Sequence, residues 1–331
     1  MKRSSPIMTS LLAPGFVFTL GVAWISVSAA LPSFSLGQEP PVILVPGLAI
    51  GVEDGDENLI FGSISRIDLD GKGNIYVLDY KYRAIRIFDG NGGFIRSIAV
   101  PAGQGPQEAT NLSGIAVTPH GTLFINDMRK VIVYGPEGKY LRTFLVDFMV
   151  SSIGCAGAED LIAIGPHLGK ILHVFDATGR PLESFGDPFP VPKEFEAMKE
   201  MPMFQAPLLF NCAKDGRIFI LNPHKYEISV FKNHRLEEVI KGKNELFRPV
   251  EQKGRGFVST AADIVRSGDF TFVLLSGLGQ KKADVFEAGK QIGTIDFSGR
   301  PFCVDSLGRV YFAETEGFPR VVRYSVRPGN Q

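Results

Sequence analysis

Positive charge recurs at regular places along this 331-residue chain. Lys81 and Arg83, Arg129 and Lys130, Lys170, Lys225, Lys281 and Lys282, and Arg320 each precede a short apolar run. If those runs stand side by side, the cations meet at one mouth and would attract a carboxylate or an acidic glycan. The plainer alternative is a set of solvated side chains. His167 and His224 occupy matching links of two neighbouring repeats. A metal would need a third ligand in defined geometry, whereas His173 falls in a strand and His120 and His234 in turns on the other side. No metal and no cofactor is therefore expected. Asp79, Asn126, Asp127, Asn222 and Glu314 end apolar runs and would make a ring of carboxylates and amides suited to calcium. Asp79 and Asp127 have a second use, capping the backbone of their own loops. The candidate binding set is Lys81, Arg83, Arg129, His167, Lys170, His224, Lys225 and Arg320, and no catalytic residue is identified.

The elements that position these residues repeat. Ile67 to Ile98 contains four short β-runs separated by Asp70-Gly71-Lys72-Gly73-Asn74, Tyr80 to Arg83, and Asp89-Gly90-Asn91-Gly92-Gly93, the pattern of a four-stranded antiparallel meander. The pattern returns five more times. Ile67, Gly73, Tyr76 and Asp79 match Ile115, Gly121, Phe124 and Asp127 at a constant offset of 48. The third unit, near Ile153 to Phe185, is degenerate, and the last, ending at Tyr324, has only three strands. A unit recurring every 40–50 or so residues is a propeller blade, and the missing strand must come from the other end of the chain. Val42 to Val45 is the natural donor. The expected fold is all-β, a six-bladed β-propeller of four-stranded antiparallel blades whose ring is closed by an N-terminal strand.

Asp70 to Asp79, followed by Arg83-x-Ile85 and Ile87-Phe88-Asp89, resembles the NHL-type repeat. More broadly, residues 42 to 326 are similar to exported six-bladed propeller proteins of bacteria. Members of that group carry a Gly-x-Gly-Pro-Gly-Glu loop after the first blade, and Gly103-Gln104-Gly105-Pro106-Gln107-Glu108 departs from it only at Gln107. The resemblance implies a fold that hosts lyases, lactonases and plain binding modules alike.

Residues 1–37 read as a targeting segment, a signal peptide or an uncleaved anchor. Lys2-Arg3 precede an uncharged run from Leu11 to Ala30, and Ser28 and Ala30, or Ser35 and Gly37, offer cleavage positions. The propeller then spans residues 38–331, exported to the periplasm or beyond. Lys2 and Arg3 are two of 35 basic residues and no acidic residue precedes Glu39, so the remainder carries a net charge of −2. Such a balance gives no reason to expect nucleic acid, or a membrane unless the first segment stays attached. Cys155 and Cys212 hold equivalent positions on adjacent units, too far apart for a bridge, and with Cys303 they read as small apolar side chains. The single tryptophan, Trp24, lies in the targeting segment, which removes WD-type blades and tryptophan-docked quinoprotein propellers. No G-x-S-x-G, HExxH or P-loop occurs.

Within a meander blade, the links between strands two and three and those between blades emerge on one face, and the Gly-rich turns on the other. Two inter-blade links are long, Ala102 to Ser113 and Gly186 to Ala206. The second carries Phe195, Met198, Met201 and Met203 among acidic residues, as a short amphipathic helix over the face. The expected function is a binding module, for a protein or an anionic small molecule or glycan, acting through this long-loop face. The alternative is a metal-dependent hydrolase or lyase, lactonase-like, at the channel mouth.

Overall fold

The structure is a computed structural model that describes residues 40–329 except 156–158, 200, 207–208, 214, 254–255, 278–279 and 298. The expected signal peptide or anchor at 1–37 lies outside the described residues, as do Glu200 and the side chain of Met203. No helix among those described is long and apolar enough to cross a membrane.

Local chemistry sets the strand breaks. Asp70 accepts from the N–H groups of Lys72 (2.9 Å) and Asn74 (2.9 Å), and Asp305 does the same for Leu307 (2.9 Å) and Arg309 (3.0 Å). Asp89 and Asp176 repeat this between strands three and four of their blades. A short carboxylate that satisfies two backbone donors fixes the chain reversal. The residue closing each turn is a glycine with positive φ, as at Gly73 (+83°) and Gly308 (+74°), where a side chain would be strained.

Between these turns the chain makes six four-stranded antiparallel sheets. Blade 1 comprises Ile64–Leu69, Ile75–Asp79, Ala84–Phe88 and Phe94–Ala99, and blade 2 Gly114–Val117, Leu123–Asp127, Lys130–Tyr134 and Tyr140–Leu145. Blade 3 is Ser152–Cys155, Leu161–His167, Lys170–Phe175 and Pro181–Phe185, and blade 4 Phe210–Cys212, Ile218–Leu221, Glu227–Lys232 and Arg235–Lys241. Blade 5 is Ala261–Ser267, Phe270–Gly277, Gln280–Glu287 and Lys290–Asp296. Blade 6 takes Arg300–Val304, Val310–Glu314 and Arg320–Pro328 from the C-terminal end, and Val42–Ile50 as its outer strand. Val42 opposes Pro328 and Ile50 opposes Val321, so the first described strand pairs with the last and the ring closes as expected.

In blade 1 the middle strands are buried at every position, because a neighbouring blade covers each side of the sheet. That is why their sequence is apolar on both faces instead of alternating, apart from Asp79 and Arg86, which are buried as an ion pair. Six apolar clusters fill the six inter-blade spaces. One joins Leu78, Ile85 and Ile87 of blade 1 to Ile115, Leu123 and Ile125 of blade 2. Another joins Tyr311, Ala313 and Val321 of blade 6 to Ile67, Ile75 and Val77 of blade 1. The cysteines behave as the small apolar residues the sequence suggested: Cys155, Cys212 and Cys303 pack into three different clusters. Outer strands are exposed, Pro181–Phe185 at every position but the last.

A third long link goes beyond the two expected. Between blades 4 and 5, Glu251–Lys253 pairs with Gly256–Val258 as an added hairpin.

Candidate functional site: the long-loop face and the central channel

On the long-loop face the expected cations hold the loops. The residue before strand three reaches back to the carbonyl that follows strand four, 17 residues on. Arg83 Nε donates to Val100 O at 3.2 Å, and Arg129 Nε to Val146 O at 3.1 Å. The backbone answers in the other direction, Val100 N to Arg83 O and Val146 N to Arg129 O, both at 2.9 Å. In blade 3 the clasp becomes an ion pair, Lys170 Nζ to Asp187 at 2.7 Å. Arg83 also donates to the carbonyls of Pro101 and Ala109, pinning the first long link. Within that link Gly105 N donates to Glu108 Oε2 at 2.9 Å, and a Cβ on Gly103 (φ +152°) would strike the same carboxylate. The Gly-x-Gly-Pro-x-Glu spacing is thus a turn folded back on its own glutamate. Lys130 Nζ donates to Glu108 O at 2.7 Å, and Arg320 bonds Glu314 at 2.8 and 3.1 Å. Lys81 lies 5.7 Å from the Tyr82 ring, and Lys225 is exposed.

The strand-two ends are used in the same way. Asp79 accepts from Gly62 N (2.8 Å) and Ser63 N (3.0 Å), and Asp127 from Thr110 N (3.0 Å) and Asn111 N (2.7 Å). Each carboxylate caps the chain arriving from the preceding blade and holds a cation, Arg86 at 3.2 Å and Lys130 at 3.2 Å. Asn222 accepts from His224 N and Lys225 N. Of the calcium-suited ring, Asp79, Asp127 and Asn222 are loop caps.

His224 Nε2 bonds Phe204 O at 2.8 Å, and its ring lies parallel to that of Phe204, 6.3 Å away. Phe204 stacks in turn on Phe195 at 4.7 Å. The second long link, a 3-10 turn over Lys193–Met198 and a helical turn over Pro202–Gln205, is therefore fastened to blade 4 through His224. His167 stacks on Phe148 at 5.2 Å and stands 5.7 Å from His173. Burial lowers the His173 pKa below its ordinary value, against the bond from its ring to the Gly165 carbonyl. Among the described residues, no group of three or more His, Cys, Asp or Glu side chains is arranged to hold a metal ion.

A cavity of about 530 Å³ lies elsewhere, along the innermost strands. None of the eight expected binding residues lines it. Its walls include Arg66 of blade 1, Ser152 and Cys155 of blade 3, Asn211 of blade 4, Asp263 of blade 5 and Arg300 of blade 6. It reaches the turns after those strands, at Pro119, Asp215, Gly268 and Leu307, the end of the ring opposite the long loops.

Three ionisable groups from three blades line the cavity here. Arg300 Nε donates to Asp263 Oδ2 at 3.3 Å, and Ile264 N donates to Asp263 Oδ1 at 2.9 Å. Burial pushes the Asp263 carboxyl up, opposed by the charges of Arg300 and Arg66. Burial also pulls Arg66 down, helped by repulsion from Arg300 and opposed by Asp263. Asp68, on the same strand as Arg66, accepts from Leu69 N (2.8 Å) and from Val117 N of blade 2 (2.7 Å). Asn211 accepts from Arg266 N of blade 5 at 3.1 Å. These bonds tie the inner strands together around the axis. A charged residue inside an inner strand, as in Ile64-Ser65-Arg66-Ile67 or Ala262-Asp263-Ile264, marks Arg66 and Asp263 one by one in the sequence, but not that they meet.

Comparison with known proteins agrees with this architecture. Residues 50–162 match the family model described as a 6-bladed beta-propeller. No curated protein matches the chain. A Bacteroides fragilis protein described as exported superposes with a TM-score of 0.57 at 11% identity, covering 88% of this chain and 96% of that one. A member of the DUF4221 family from Bacteroides vulgatus gives 0.56 at 12% identity, over 88% of this chain and 100% of its own. Virginiamycin B lyase from Staphylococcus aureus gives 0.51 at 12% identity, over 78% and 79%. Likeness at these identities is likeness of fold. By sequence match, strand order and ring closure, the chain is a six-bladed β-propeller.

Proposed function

We propose that the protein is an exported binding module that takes a small ligand with a polar head into its central channel. The observation that carries this reading is the cavity of about 530 Å³ whose wall brings Arg66, Asp263 and Arg300 together from three blades. That volume falls within the roughly 300–1,000 Å³ of ordinary small-molecule sites, most of which combine an apolar body with a few placed polar groups. Here Leu209, Phe210 and Leu307 supply the apolar part, and the guanidinium groups supply planar, multiple donors suited to a carboxylate. The long-loop face, with Lys81, Arg83, Arg129, His167, Lys170, His224, Lys225 and Arg320, serves in this reading as the frame that keeps the six inner strands in place. Export is supported by the apolar run near Leu11 to Ala30.

The test is a thermal-shift and calorimetric screen of the purified protein against small carboxylates, amino acids and neutral sugars. The expected result is saturable binding by a carboxylate, weakened tenfold or more in Arg300→Ala, a variant that loses no more than about 1 kcal/mol of stability. Binding that survives unchanged in both Arg300→Ala and Arg66→Ala would put the ligand outside the channel.

A further inference from the structure

The two faces of the ring differ in what they expose. On the face of the Gly-rich turns Leu307 is exposed at a turn tip, and Phe94, Leu182 and Leu236 are exposed where outer strands leave their turns. On the long-loop face, blades 1 to 3 and the links after them expose Tyr80, Tyr82, Met128, Met149, Leu168 and Met201. Leu168 is 88% exposed, at the tip of a strand-two-to-three link. Apolar side chains gathered on one side of a soluble fold mark a contact surface.

The backbone at these tips makes the placement harder to explain by folding alone. Met128 (φ +58°) and Leu168 (φ +48°) occupy the left-handed region, where glycine or asparagine would sit with less strain. An exposed leucine there gains nothing from the fold and is unfavourable on two counts. Strain of this kind collects at working sites.

Charge identifies the occupant. The same face carries both signs. Lys81 is exposed, Arg129 is exposed with Asp147 3.8 Å from its guanidinium, and Arg83 bonds only backbone carbonyls, while the link from the closing strand to blade 1 exposes Glu53, Asp54, Asp56 and Glu57. A surface with an apolar ridge, a basic part and an acidic part is complementary to itself under a two-fold rotation, each copy's acidic link facing the other's basic tips. The net charge of −2 beyond the first 37 residues leaves little long-range repulsion between copies. We infer that the long-loop face of blades 1 to 3 docks a second copy of this chain, forming a face-to-face dimer. The channel's other end, at Pro119, Asp215, Gly268 and Leu307, stays open in such a pair. This inference goes beyond the channel reading and does not depend on it.

Sedimentation equilibrium on the processed protein tests it. The expected result is a dimer that dissociates at micromolar concentrations and weakens as salt is raised. The double variant Met128→Asp/Leu168→Asp should be monomeric with an unchanged melting temperature, since neither side chain is part of an apolar cluster. Glu57→Lys should weaken the dimer, and mixing it with Lys81→Glu should recover association above either variant alone. A protein that stays monomeric up to about 100 µM, a range where even weak specific pairs form, overturns the inference, whether or not it sediments with lipid vesicles or binds a foreign protein. A dimer that persists unchanged in the double variant overturns it as well.

Discussion

The long-loop face and the central channel use the same residue types to opposite ends. On the face, Arg83, Arg129 and Lys170 are bound within their own blade or to the link beside it: Arg83 to Val100, Pro101 and Ala109, Arg129 to Val146, Lys170 to Asp187. In the channel, Arg66, Asp263 and Arg300 come from blades 1, 5 and 6 and meet only because the ring closes. Charge on the face secures local geometry, and charge on the axis depends on global geometry. Removing a face residue should therefore cost stability, and removing a channel residue should cost binding.

The largest expected effect tests the face. Asp79 is fully buried, accepts three backbone N–H bonds and holds the buried Arg86, which also donates to Ile60 O at 2.6 Å. Asp79→Ala leaves that guanidinium without its carboxylate and three donors without their acceptor, a loss of about 3–5 kcal/mol. Urea denaturation measures it. Arg300→Ala, whose side chain is 41% exposed, should cost about 1 kcal/mol or less. Equal losses in the two variants would erase the distinction drawn here.

Arg83 gives the next effect. Its guanidinium spans three carbonyls, and Arg83→Ala should cost about 1–3 kcal/mol while exposing the Ala102–Ala109 link to protease. Arg83→Lys should restore little, because one ammonium cannot reach three divergent acceptors. Full rescue by lysine would mean the charge matters and the clasp does not.

This contrast also explains what could be read from the sequence. The blades were legible because their determinants are local: Asp70, Asp89, Asp176 and Asp305 each fix a turn within four residues. Asp79 and Asp127 were legible as caps but not in what they cap: their chief partners are the N–H groups of the link from the preceding blade, 16–17 residues earlier, at positions that the 48-residue offset repeats. The clasps were visible as cations but not as clasps, because a carbonyl acceptor 17 residues away leaves no mark in side-chain type. The channel trio was hidden for a different reason. Asp70 and Asp305 open equivalent turns, so Arg66 aligns with Pro301 and Arg300 with Ser65. In the sheets Arg66 opposes Leu78, Asp263 opposes Leu274 and Arg300 opposes Ala313, so Arg66 and Arg300 both face the residue just before a strand-two end, but the bulge in blade 6 falls on the turn side of Arg300 and a constant sequence offset does not align them.

The smallest effect is in the pH dependence, where the two regions should differ in sign. His173, beneath the long-loop face, has a pKa held below the usual histidine range chiefly by burial among Phe148 and its neighbours. The folded state therefore binds its proton less readily than the unfolded chain does, and stability should fall as pH drops below the unfolded value near 6.5. The slope from this one group is at most about 1.4 kcal/mol per pH unit. Asp263 works the other way: its carboxyl is pushed up, so its burial becomes costly as pH rises past the unfolded value near 4. From pH 7 to pH 5 the histidine lowers stability and the carboxyl does not. His173→Gln keeps a donor for the Gly165 carbonyl, bonded at 2.9 Å, and removes the titration. Its melting temperature should fall less than the parent's from pH 7 to pH 5. A variant that still tracks the parent over that interval would remove His173 as the source of the pH response.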